Sequence, residues 1–166
     1  MRFAIGDLIF YGETGICRVE EIVEKEFLGE VRPCYKLQPL YQSCTIFTPA
    51  DNEAVFMRAI ISNAVASELI ESIPSIVPNP CTATAPRELS ERYDKIVKTH
   101  DCKEYLRFAV SVHAKKKQLL AQKKKISAID ERYLKKVEDL LFGELAAALE
   151  IERFAVKQQV DEQLTK

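Results

Sequence analysis

Two periods of hydrophobicity divide the chain. Up to about residue 60, apolar and polar positions alternate; beyond it, apolar residues recur every three or four positions. In the first stretch, Ala4–Tyr11 and Ile16–Ile22 flank the turn Gly12-Glu13-Thr14-Gly15. Cys17, Val19 and, less regularly, Ile22 fall toward one side, with Arg18 and Glu20 toward the other. That is the pattern of a half-buried strand. Gly6-Asp7 predicts a tight turn feeding Leu8–Tyr11, because glycine accepts positive φ and Asp bonds nearby amides. Val23–Leu28 and Val31–Leu37 predict a hairpin turning at Gly29-Glu30, with Pro33 at a strand start or an edge because it lacks a ladder donor. Ser43–Thr48, stopped by Pro49, and a short run at Val55–Arg58 complete a set of five strands. Strands this short, with Gly, Pro and Asn turns between them, predict a small SH3/Tudor-like antiparallel β-barrel.

The helical period begins after Ile61. Ser62 is a good N-cap for a helix whose inner face is expected at Val65, Leu69 and Ile73. Pro74, Pro78, Pro80 and Pro86 exclude a regular helix from the next segment, which reads as an interdomain connection. Pro86 suits the first turn of a helix over Arg87–Lys98. Asp101 with Glu104 resembles a capping box for a helix to about Lys124, with Tyr105, Phe108, Ala109 and Val112 as its apolar stripe. Ser127 opens another, with Ile129, Tyr133, Leu134, Val137, Leu140 and Leu141 inward. From Glu144 the pattern continues through Leu145, Leu149, Ile151, Phe154, Ala155 and Val160, and Gly143 is expected to kink or divide it. The expected class is α+β: a barrel at 1–60, a helix and Pro-rich connection at 61–86, and a compact all-α domain at 87–166.

Composition narrows the function. A chain of 166 residues that is 47% hydrophobic and 30% charged holds one medium or two small domains and is too apolar to be disordered. It has neither a membrane-length apolar run nor a secretory n- and h-region, so a cytoplasmic protein without membrane contact is expected. Cys17, Cys34, Cys44, Cys81 and Cys102 are scattered, and His100 and His113 lack ligand spacing. Buried reduced thiols are expected, and no metal. Phosphate-cradling, dinucleotide, zincin and nucleophile-elbow motifs are absent. His100-Asp101-Cys102 are adjacent and project apart, where catalysis needs convergence. Neither an enzyme nor a cofactor is expected. The net charge of −1 hides an asymmetry: residues 1–86 carry 6 Lys/Arg against 11 Asp/Glu, and residues 87–166 carry 18 against 14. Lys115–Lys117 and Lys123–Lys125 form two basic runs, read as a solvated face or as sequence-independent contacts to a nucleic-acid backbone.

The order Phe3-x-x-Gly6-Asp7-x-x-x-Tyr11-x-x-x-Gly15, Val19-Glu20-x-Ile22, Tyr35-x-Leu37 and Pro49-Ala50-Asp51-Asn52 resembles the CarD/CdnL family of bacterial transcription regulators. That family shares its N-terminal module with the RNA-polymerase-interacting domain of the transcription-repair coupling factor. Ser90-x-Arg92-Tyr93 and Gly143-Glu144-Leu145-Ala146 extend the resemblance into the helical part. It implies a barrel that lays a strand against the lobe of the polymerase β subunit, with Lys25, Phe27, Ile46 and Phe47 as contact residues. Phe47 stands where studied members place an arginine; Phe27 and Phe47 either anchor the interface or fill the barrel core. The resemblance further implies weak, non-sequence-specific contact with promoter DNA, in the minor groove or on the backbone. Leu89 takes the place of a tryptophan wedge, with Arg87, Arg92 and Lys95 as phosphate partners, while Glu91 and Asp94 oppose such contact. The expected outcome is modulation of open-complex stability at initiation. The alternative is a protein-interaction adaptor that docks on polymerase or another protein without direct DNA contact.

Overall fold

A single extra residue explains why the apolar alternation falters before Ile22. In the computed structural model, which describes residues 2–166, Gly15–Phe27 is one continuous strand, β2. Its pairing shifts between Val19 and Glu21, so Glu20 is bulged out and the parity of inward positions changes from odd to even. Cys17 and Val19 before the bulge, and Ile22 after it, therefore face the same core. β2 pairs on one side with β1 (Leu8–Tyr11) and on the other with β3 (Glu30–Pro39). β4 (Ile46–Pro49) and β5 (Met57–Ala59) form the two ends of the order β4-β3-β2-β1-β5. The five antiparallel strands thus make an open ladder, where turn spacing predicted a closed barrel. Ile9, Cys17, Val19, Tyr35 and Leu37 form its buried centre, and Tyr35 accepts a hydrogen bond from the Phe3 N–H at 3.1 Å.

Two turns differ from expectation or carry special geometry. The β2–β3 hairpin turns at Leu28-Gly29, both with positive φ (52° and 81°), the signature of a type I′ turn, and not at Gly29-Glu30. Leu28 is fully exposed there, in a conformation that costs a Cβ-bearing residue about 1–2 kcal/mol. Leu28→Asn, which suits that conformation, is expected to stabilise the chain by about 0.5–1 kcal/mol; a urea midpoint no higher than wild type would refute this assignment of strain. At Gly12 (φ 45°), an added Cβ would lie 2.9 Å from Val55 Cγ1, so a side chain there would be strained and would have to push Val55 aside. Pro33 lies within β3, not at its start or on an edge strand. Its carbonyl accepts the Ala50 N–H at 2.9 Å, so its donorless nitrogen also points toward β4, at the very end of the β3–β4 pairing, where no ladder bond is lost.

The chain forms two compact units, up to Ile61 and from Ser62 to Lys166. The second contains α1 (Asn63–Ser72), a 3-10 turn (Ile73–Ser75), α2 (Pro86–Val97), α3 (Cys102–Ala121), α4 (Ala128–Leu149) and α5 (Arg153–Leu164). Ser62 caps α1 by accepting the Val65 N–H, and Pro86 opens α2. Ser127 and Asp130 form a reciprocal capping box on α4. At α3 only half of the expected box is present: Asp101 accepts the Lys103 N–H, while Glu104 pairs with Arg107. The inner face of α1 is Ala66, Ile70 and then Ile73; Val65 is exposed and Leu69 half-buried. The α3 stripe is buried as expected, together with Cys102, Leu106 and Val110. Along the last helical stretch Leu145 and Val160 are buried, Ile129, Leu149, Ile151 and Ala155 are half-buried, and Phe154 is 68% exposed while Val156 takes its inward place.

Gly143 does not divide the helix. It lies inside α4, buried among Leu141, Phe142 and Leu145, where packing outweighs the ~1 kcal/mol propensity loss of glycine. The break is at Glu150 (φ 55°). Its N–H bonds to Ala147 O and that of Ile151 to Ala146 O, the two bonds of a Schellman cap with a glutamate in the left-handed place. No helix among the described residues is long and apolar enough to cross a membrane.

Candidate functional site

Alternation along the paired strands sorts the sequence-singled residues of the first unit onto two faces. Leu37 pairs with Ile46 and Lys36 with Phe47; Leu37 is core, so Ile46 points to the core face and packs partly against it. Phe47 points to the opposite face, and beyond the bulge Lys25 and Phe27 share it, opposite Arg32 and Glu30 in the β2–β3 register. Lys25, Phe27 and Phe47 therefore lie on one surface, and Ile46 does not. Phe47 is 38% exposed and belongs to no core cluster. Lys25 Nζ sits 3.4 Å from the centre of its ring, a cation–π contact that holds the aromatic upright at about 0.5–1 kcal/mol. Around the pair, Lys36 is matched to Glu21, and Arg32 to Glu30 and Asp51.

The two sheet edges differ in availability. β5 turns the carbonyls of Met57 and Ala59 away from β1, since Gly12 N–H takes Phe56 O and Ile60 N–H gives to Leu8 O. Both outward carbonyls are occupied: Arg2 donates to Met57 O at 2.6 Å and Arg58 to Ala59 O at 3.0 Å. On β4, Ala50 N–H points to β3, so by alternation Phe47 presents its N–H and C=O outward and Pro49 only a C=O. The open edge and the exposed aromatic coincide at one residue.

In the helical unit, Leu89 is 4% exposed. α2 turns Leu89, Tyr93 and Val97 inward along its apolar face, so Leu89 packs within the helical unit. Arg87 pairs with Glu91 at 3.2 Å and Arg92 with Glu88 at 2.9 Å, each one helical turn apart. Of the four α2 residues expected at DNA, only Lys95 stays exposed without an ion pair among the described residues. Positive charge gathers instead at the far end of α3. No acidic residue occurs between Glu104 and Asp130. Lys115 reaches back to Asp130 at 3.0 Å, while Lys116, Lys117, Lys123, Lys124 and Lys125 are exposed.

Asp130, which sequence reasoning passed over, anchors that end. It is fully buried and accepts hydrogen bonds from the Tyr93 hydroxyl of α2, Lys115 of α3, and the Ser127 hydroxyl and N–H. Burial acts to raise its pKa, but these donors together outweigh it and hold the carboxyl below its ordinary value. Tyr93 is pushed upward by burial and by the Asp130 bond. A reciprocal bond, Tyr133 of α4 to Asp94 of α2 at 2.5 Å, completes the α2–α4 contact. The only signal in sequence was the Ser127-x-x-Asp130 spacing, which reads as a cap and hides the burial.

The cysteines split. Cys17, Cys34 and Cys102 are buried; Cys81 is half-buried and Cys44 exposed. Burial, then the Cys44 thiol, push Cys17 up to about 12, so it is protonated and inert at neutral pH. Residues 3–61 match the family model of the CarD-like/TRCF RID domain, a match that ends with the first unit. No curated protein matches the chain.

Proposed function

We propose, from the match of residues 3–61 to the CarD-like/TRCF RID family model, that this chain is a transcription regulator that docks on the β-subunit lobe of RNA polymerase by adding a lobe strand to β4. The sheet then serves as the SH3/Tudor-like platform of the family, acting in the cytoplasm beside the polymerase and without catalysis of its own. The observation that carries the reading is the contrast of edges: β5 is capped by Arg2 and Arg58, whereas β4 leaves Phe47 open beside Lys25 and Phe27. Backbone pairing gives such a contact its affinity, and an aromatic anchor beside it gives specificity.

The helical unit then works at promoter DNA through backbone charge. Its contact is the lysine end of α3, in place of the α2 surface, and it needs no sequence readout because the polymerase has already chosen the site. Holding the melted state by about 1.4 kcal/mol would shift its population ratio tenfold. A second reading, an adaptor that never touches DNA, draws support from the buried Leu89 and the paired Arg87 and Arg92. Leu89→Ala does not separate the two, since it opens a core cavity. Charge reversal does. With Lys116, Lys117, Lys123, Lys124 and Lys125 changed to Glu in the full chain, retention by immobilised β subunit should be unchanged. Open-complex lifetime at a test promoter should fall at least several-fold. An unaltered lifetime with retained docking selects the adaptor on polymerase; failure of the wild-type chain to bind the β subunit removes the regulator reading and leaves only an adaptor for another protein.

A further inference from the structure

The β2–β3 hairpin outruns everything it packs against. Its last core residues are Ile22 and Tyr35, and β4 stops where Pro49 meets Cys34. Four further rungs, from Glu24↔Pro33 to Phe27↔Glu30, continue with no third strand beside them, a reach of roughly 13 Å. Between Glu24 and Pro33 no side chain is buried. Yet the end of this arm is apolar: Leu28 is 100% exposed and Val31 68%, with Phe27 half-buried beside them. At Gly29 an added Cβ would meet nothing within 4 Å, so the tip stands in open space. Leu28 also holds φ 52°, a backbone state that suits Asn or Gly far better. An apolar side chain in water and a strained backbone are two local costs, and with Leu28 fully exposed, packing offsets neither.

We propose that this tip is a second contact with the RNA polymerase β subunit, in which Leu28, flanked by Phe27 and Val31, enters an apolar recess beside the strand paired on β4. The inference rests on the docking of β4 proposed above, and the arm's position ties it to that partner. Pro33 turns its carbonyl toward β4, where it accepts the Ala50 N–H. Val31, two residues away, turns its N–H and C=O to the same side, past the end of β4. Phe27 lies on the same sheet face as Lys25 and Phe47. The arm therefore overhangs the side on which an added strand would lie and continues the face that carries Phe47. Its charge also selects a protein surface: Glu24, Glu26 and Glu30 outnumber Lys25 and Arg32, a balance that nucleic-acid phosphates and anionic lipids repel. The backbone of β4 sets the alignment, and Leu28 adds affinity at a cost in stability.

Titration of labelled full chain with purified β subunit, beside urea unfolding, tests the tip. Leu28→Asn should raise the urea midpoint and yet weaken binding by about tenfold, near the low end for burying a leucine side chain. Leu28→Met, which keeps an apolar side chain of similar volume, should bind within about twofold of wild type. Val31→Thr, which suits a strand equally well, should also weaken binding. Leu28→Asn binding as wild type, with Phe47→Ala still weakened, would overturn the tip and leave β4 docking in place. A wild-type chain that does not bind the β subunit at all would remove docking and tip together. Leu28→Met as weak as Leu28→Asn would trace the effect to the turn and overturn the apolar contact. A wild-type dimer in sedimentation that Leu28→Asn dissolves would give the tip to a second copy of the chain, and would overturn the proposal too.

Discussion

Asp130→Ala should lower the stability of the helical unit by roughly 3 kcal/mol, the low end of the range for breaking a buried ion pair. The low end applies because Lys115 keeps 20% of its side chain exposed and can recover water. Much of the loss comes from the Tyr93 hydroxyl, which is left in the core without an acceptor. The melting temperature of that unit should fall by roughly 10 °C or more, and a fall under 3 °C would remove Asp130 from its central place. The pH dependence has a definite sign. The folded carboxyl has a lowered pKa, so the unfolded chain takes up its proton first as pH falls. The stability contributed is complete above about pH 4, the ordinary Asp value, and is lost as pH drops through the lower folded value. Asp130→Asn should therefore start less stable at neutral pH and lose less as pH falls below about 4. If both variants and wild type show parallel acid limbs, the carboxylate is not titrating as described.

Phe47→Ala should weaken binding of the full chain to the polymerase β subunit by about 30-fold or more, as expected for an interface aromatic worth at least 2 kcal/mol. Its cost to folding should be about 1 kcal/mol, from a half-exposed ring and one cation–π contact. Ile46→Ala makes the control. It faces the core, so it should lower the stability of the sheet more than Phe47→Ala does, and affinity less once both are measured well below their unfolding midpoints. Titration of labelled chain with β subunit reads both. If the two substitutions weaken binding equally, the face opposite the core is not the docking surface. If Phe47→Ala binds as wild type, β4 is not the docking edge.

What could be read from the sequence followed from how local each cause was. Ser62, Ser127 and Pro86 act within one turn of themselves, so helix starts were legible. The α3 stripe was legible too, because periodicity alone places Phe108 and Val112 on the buried face. Errors came where a neighbour decides. The bulge at Glu20 depends on the β2–β3 register and reached the sequence only as an irregular Ile22. Gly143 reads as a breaker in isolation, yet α4 carries it through the core, and the break falls at a glutamate whose left-handed φ has no compositional mark. Leu89 was assigned by position to a surface, and the inward face of α2 claims it. Asp130 looked like a cap residue because the partners that bury it, Tyr93 and Lys115, lie on two other helices.

The shortage of donors on β4 has a consequence beyond choosing where a strand may add. Beyond Phe47, the edge continues to Pro49, which offers an acceptor and nothing to give. An incoming strand thus finds one residue able to exchange both backbone bonds, and a slip of two positions would set its carbonyl against the proline ring. A strand added to β4 in that slipped alignment would lack the bond, so the backbone favours one alignment over its neighbour. The same arithmetic applies to a second copy of the chain: β4 laid antiparallel on β4 about Phe47 brings each Pro49 opposite Thr45, with a bond missing on either side. The edge that is left open for a partner is thereby a poor template for its own kind, and concentrated solutions should stay monodisperse by this route.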